Sequence, residues 1–98
     1  MRVRWSRGAR RQLLEILERI AEDDPRTARR WMERIRASVA PLASHPWSGR
    51  MVPEFGEEAI RERIVKPYRV LYTVADNVYV LGIYHSRQAL PEDVPEEG

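Results

Sequence analysis

Cysteine is missing from the 98 residues, which excludes disulfide staples and thiolate metal sites and suits a reducing, cytoplasmic setting. Histidine occurs only as His45 and His85, too few and too far apart in sequence for a metal centre. Lysine occurs once, as Lys66, and no glycine-rich phosphate-binding loop is present. No apolar run approaches the length needed to cross a bilayer. The opening Met1-Arg2-Val3-Arg4-Trp5 has no apolar segment of the kind that directs secretion. Neither a membrane, nor a metal, nor an organic cofactor is therefore expected as a partner.

What the chain does have is arginine and a normal share of core-forming residues. With 43% hydrophobic and 33% charged residues it reads as one globular domain, 1–90, followed by an acidic, flexible tail, 91–98. Residues 1–36 carry eleven arginines against six acids. Residues 60–87 carry Arg61, Arg63, Lys66, Arg69 and Arg87 against Glu62 and Asp76, and the tail holds Glu92, Asp93, Glu96 and Glu97. A basic body of this kind favours a polyanion or an acidic protein as partner.

Periodicity orders the elements. Arg2 to Trp5 alternates as a short strand does, and Ser6 stands where a helix N-cap belongs. Ala9, Leu13, Ile16, Leu17 and Ile20 form one helical stripe. Asp24-Pro25 ends that helix and starts a second, whose stripe is Ala28, Trp31, Met32, Ile35, Val39 and Leu42. Residues 43–58 hold His45, Pro46, Ser48, Gly49, Pro53 and Gly56, the composition of a loop. Strand-like runs follow at Ile60 to Lys66, Arg69 to Val74 and Val78 to His85, with gaps too short for anything but an antiparallel meander. The expected fold class is α+β: a short N-terminal strand, an antiparallel helix hairpin, and a three-stranded meander with both helices on one face.

Both sides of these strands carry large apolar residues. Leu71 alternates with Val70 and Tyr72; Tyr79, Leu81 and Ile83 alternate with Val78, Val80 and Tyr84. Two helices cover one side, so the other is expected to stay partly open, apolar and fringed with arginine. Such a surface on a small protein marks a partner site.

The residues Trp5-Ser6, the Pro-started second helix, His45-Pro46-Trp47-Ser48-Gly49-Arg50, the run Arg61-Glu62-Arg63-Ile64-Val65-Lys66-Pro67-Tyr68-Arg69-Val70-Leu71-Tyr72 and the closing His85-Ser86-Arg87 together resemble the RelE/ParE toxin superfamily. The resemblance spans Val3 to about Leu90 and has the same element order. It implies a type II toxin neutralised by a cognate antitoxin, whose C-terminal segment wraps an open groove; Leu71, Tyr72, Tyr79, Leu81 and Tyr84 are the expected contacts. It also implies a cellular target, either DNA gyrase, as for ParE-like members, or ribosome-bound mRNA, as for RelE-like endoribonucleases. RNA cleavage needs an acid–base group and cations around the phosphate, which His85, Arg69 and Arg87 could supply. Arg61, Arg63 and Lys66 are candidates for binding the target or its nucleic acid. The lysine pair of RelE ribonucleases is missing, and Val65-Lys66-Pro67-Tyr68-Arg69 with His85-Ser86-Arg87 is closer to ParE-like members. The gyrase reading is therefore preferred, with the ribonuclease and a non-toxic binding module as alternatives.

Overall fold

In the computed structural model, which describes residues 1–98, helix starts fall where side chains can satisfy free backbone N–H groups. Strand β1, Val3–Trp5, leads into Ser6, whose Oγ accepts from the Ala9 N–H at 2.9 Å and caps helix α1, Arg7–Asp23. Asp24 caps helix α2, Pro25–Val39, accepting from the Arg26 N–H at 3.0 Å and the Thr27 hydroxyl at 2.9 Å. These hydrogen bonds hold the Asp24 carboxyl below its usual pKa. Around Pro41, which has no N–H for the helix ladder, α2 gives way to a 3₁₀ turn, Ala40–Ala43.

The sheet has five strands, not a lone meander of three plus one. Its order is β1-β5-β4-β3-β2, where β2 is Arg50–Met51, β3 Ile60–Val65, β4 Tyr68–Val74 and β5 Val78–His85. Strand β1 runs parallel to β5, pairing Val3 with Val78 and Trp5 with Val80, while the other neighbours are antiparallel. Strand β2 lies within 43–58, a segment read as pure loop. Two residues are too few to show a period, so only pairing with β3 reveals it. Lys66 belongs to the β3–β4 turn, which contains a cis Lys66–Pro67 bond, and not to β3.

Both helices pack on one face. Ile16 and Ala9 of α1 and Ile35 and Val39 of α2 meet Val65, Val70, Tyr72, Val74, Val78, Val80 and Ile83 in the main core. A bulge shifts the pattern of β5: Leu71 pairs with Gly82 but Tyr72 with Val80, leaving Leu81 as an extra residue. Strict alternation assigns Ile83 to the side of Leu81 and Tyr84 to the side of Val80. The bulge reverses both, so Ile83 joins the helix-side core and Tyr84 joins Leu81 on the second face. Gln12 of α1 accepts the Ile83 N–H at 3.0 Å just beyond the bulge.

Tyr72 anchors the 43–58 segment from inside the core. Its hydroxyl donates to Pro46 O at 2.8 Å and accepts from the Gly49 N–H at 2.9 Å, and burial raises its pKa. Gly49 is wedged there: a Cβ would lie 2.5 Å from both Glu62 O and the Tyr72 hydroxyl. Gly49→Ala is expected to destabilise by roughly 1–3 kcal/mol, lowering the melting temperature by about 5–20 °C in a thermal scan. An unchanged melting temperature would show that the segment is not pinned at this point.

Candidate functional site

The open trough expected on the second face of the sheet does not exist. Leu71, Leu81 and Tyr84 form a second core with Val52 and Ile60, closed over by Phe55, Tyr79, Leu90 and Val94. Val52 and Phe55 come from the 43–58 segment, Leu90 and Val94 from the tail. The tail also returns to α1, where Gly98 O accepts the Arg7 N–H at 3.0 Å, so 91–98 lies docked in this structure. Tyr72 points the other way, into the helix-side core. Of the five residues expected to meet an antitoxin, Leu71, Tyr72, Leu81 and Tyr84 are buried, and only Tyr79 keeps partial exposure. The covering residues stand singly among prolines and acids, with no period to mark them as core.

Polar chemistry covers much of the rest of that face, leaving Ile64 of β3 49% exposed at its edge. The Glu62 side chain on β3 has no exposed surface, and Arg50 Nε reaches its Oε2 at 2.7 Å while Arg69 Nε reaches its Oε1 at 2.6 Å. The two terminal nitrogens of Arg69 grip Glu54 in a two-point clasp, Nη2 to Oε1 at 2.8 Å. This paired geometry is the strongest that arginine and a carboxylate make. Glu54 is held down to about 2 by the hydrogen bonds from Arg69, and the Arg69 guanidinium is raised by Glu54 and Glu62 together.

These contacts separate the three residues of the ribonuclease reading. Arg69 is spent on two carboxylates and pairs across the sheet with Tyr84, on the second face. His85 pairs with Tyr68 on the helix face, its ring edge-on to the Tyr68 ring at 5.9 Å. Arg87 lies exposed in the turn after β5, where its N–H donates to His85 Nδ1 at 3.1 Å. His85 and Arg87 are therefore neighbours, and Arg69 is apart from both. Glu58 is paired with Arg61 at 2.8 Å.

Arg61 and Arg63 line the helix-side face of β3 and are partly engaged. Arg61 donates to Glu58 O and Gly49 O and lies 5.1 Å over the Trp47 ring; Arg63 Nε donates to Ser38 O of α2 at 3.0 Å. Lys66 is exposed in the turn.

An apolar, open surface remains on the helix hairpin. Leu14 is 57% exposed, and with Leu13, Leu17, Met32 and Trp5 it lines a groove between α1 and α2 of about 430 Å³, rimmed by Arg10 and Arg36. The groove continues past Ala21 and Ala28, between Glu18 and Arg29. Sequence reasoning missed it because Leu17 and Met32 were assigned to the core stripes. The available signal was Leu14, an aliphatic residue that stands outside the α1 stripe.

The network makes stability depend on acid pH. Because the folded Glu54 pKa lies below its ordinary 4.5, the clasp contributes fully above about pH 4.5 and is lost as pH falls towards 2. Glu54→Gln should flatten this part of the stability–pH profile in urea titrations. Its cost at pH 7 should be no more than about 1 kcal/mol, since Glu54 is half exposed and screened. An identical profile in the variant would remove the clasp as its source.

The sequence model of the ParE toxin of the type II toxin–antitoxin system parDE matches residues 3–90. A "Putative toxin Y4kP" from Sinorhizobium fredii (strain NBRC 101917 / NGR234) is 36% identical over 94 residues, covering 93% of this chain and 94% of that one. Among solved structures, a chain of the "Chromosomal ParDE TA system from P. aeruginosa" shares the fold, with a TM-score of 0.69 at 22% identity over 87% of this chain and 95% of that chain. No helix is long and apolar enough to cross a membrane. With nearly its whole length matched, the chain belongs to the ParE toxin family of type II toxin–antitoxin systems.

Proposed function

We propose that this protein arrests bacterial growth by binding DNA gyrase, and that a cognate antitoxin neutralises it by seating an amphipathic segment in the α1–α2 groove. The observation that carries the binding mechanism is the separation of Arg69 from His85 by the thickness of the sheet. A cleaving site needs base, acid and phosphate clamp within reach of one phosphodiester. Here the strand arginine is committed to Glu54 and Glu62, and the histidine accepts a backbone N–H. Family membership supports the toxin reading and the antitoxin partner.

The groove supports the antitoxin's position by chemistry. Leu14, Leu17 and Met32 offer an apolar strip at helical spacing, and Arg10, Arg29 and Arg36 border it without any carboxylate paired to them. An amphipathic helix with acidic flanks fits such a strip.

Induction of the chain alone should stop growth, and co-expression of the adjacent small reading frame should restore it. Purified protein should inhibit gyrase supercoiling and leave mRNA on translating ribosomes intact, with His85→Ala as active as the parent. Specific mRNA cuts that vanish in His85→Ala would replace this mechanism with the ribonuclease one, and harmless expression of folded protein would leave a binding module. For the groove, Leu14→Glu and Met32→Glu should each weaken antitoxin binding about 30-fold in titration calorimetry, the loss of a central apolar contact. Unchanged affinity in both would move the antitoxin elsewhere.

A further inference from the structure

The flank of α2 that faces away from α1 has a different chemistry from the groove. Helix α2 carries Arg26, Arg29, Arg30, Arg34 and Arg36 against the single acid Glu33, and none of the five forms an ion pair. Arg34 lies 4.4 Å over the Trp31 ring, and Trp31 meets Tyr68 edge-on at 5.4 Å, beside the turn that presents Lys66. Further along, Arg63 of β3 reaches Ser38 at the end of α2, and Arg61 follows two residues away on the same strand face. Arg34, Lys66, Arg63 and Arg61 thus lie along the side on which α2 meets β3, with Arg30 one helical turn from Arg34. Glu58 is already paired with Arg61.

We infer that this cationic flank binds the phosphate backbone of duplex DNA, as a surface separate from the antitoxin groove and independent of the gyrase mechanism. Three features favour that occupant. First, Arg30 and Arg34 sit one turn apart on a rigid helix, about 6 Å along its axis, and guanidinium groups match phosphate geometry. Second, an acidic protein partner would need an apolar, desolvated centre to bind tightly. That centre lies on the opposite flank of α2, with Leu14 and Met32, not between Arg30, Arg34 and Lys66. Third, a single strand binds by stacking bases on free aromatic faces. Trp31 already carries the Arg34 guanidinium on its ring, and Trp47, 49% exposed although Arg61 lies 5.1 Å over it, is a lone platform where successive bases need several. Backbone contact without base reading needs only the row of cations.

The test measures anisotropy of a fluorescein-labelled 30-base-pair duplex of random sequence against the purified full chain, from 50 to 200 mM KCl. Each phosphate contact contributes about −0.9 to the slope of log affinity against log salt, so Arg30, Arg34 and Lys66 together account for about 2.7, or a roughly 40-fold fall across this range. The triple variant Arg30→Gln/Arg34→Gln/Lys66→Gln should lose that part of the slope. The equally charge-reduced Arg10→Gln/Arg29→Gln/Arg36→Gln, on the groove side, should keep it. Should the first triple melt early, Arg34→Gln alone should still remove about 0.9. No binding at 50 mM KCl, or equal slope losses in the two triples, would overturn the proposal. So would tighter binding of single-stranded DNA, duplex RNA or polyglutamate than of the DNA duplex.

Discussion

Glu62 lies at the centre of the second sheet face with its side chain wholly buried, a position that is unfavourable for a carboxylate unless cations meet it there. Arg50 and Arg69 meet it, and Arg69 extends the chain of contacts to Glu54. Because Arg50 and Glu54 both belong to the 43–58 segment, the same contacts that satisfy Glu62 also tie that segment across the sheet. Val52 and Phe55 follow it down onto Leu71, Leu81 and Tyr84. From the other side, the Tyr72 hydroxyl holds the segment's start through Pro46 and Gly49. The closed second face follows from this set of polar contacts acting with a modest apolar cluster.

Closing that face moves the available binding surface to the helices. One flank of the hairpin is apolar with arginine at its edges, and the other is cationic, with Arg34 stacked on Trp31. Arginine counts alone cannot distinguish the two flanks. Arg69 is spent on internal partners and Arg61 and Arg63 are partly engaged, whereas the eleven arginines of residues 1–36 form no ion pair. The cations free to meet a partner therefore lie mostly on elements other than the C-terminal strands, where the family resemblance directs attention.

Much of the architecture was legible in the residues. Ser6 and Asp24 cap because their short oxygens reach the first-turn N–H groups, and Pro25 suits a first helical position; these effects act within four residues. The stripes of α1 and α2 and the alternation of β4 mark buried faces by period alone. Strand β2 and the covering role of Leu90 and Val94 were not legible, since isolated apolar residues among breakers have no period. The parity of β5 was misread because a bulge at Leu81 has no local signature, and one inserted residue exchanges the faces of everything after it.

By itself the sequence determined the order of the main elements, the starts of both helices, the basic character of the body and the likeness to a toxin family, all of which rest on short-range propensity, spacing or composition. Only the tertiary structure decided that β1 lies parallel to β5, that Leu71, Leu81 and Tyr84 are covered on the second face, and that Arg69 and His85 lie on opposite sides of the sheet. Those outcomes depend on contacts between residues distant along the chain, such as Glu54 with Arg69 and Arg50 with Glu62, whose partners no local pattern specifies.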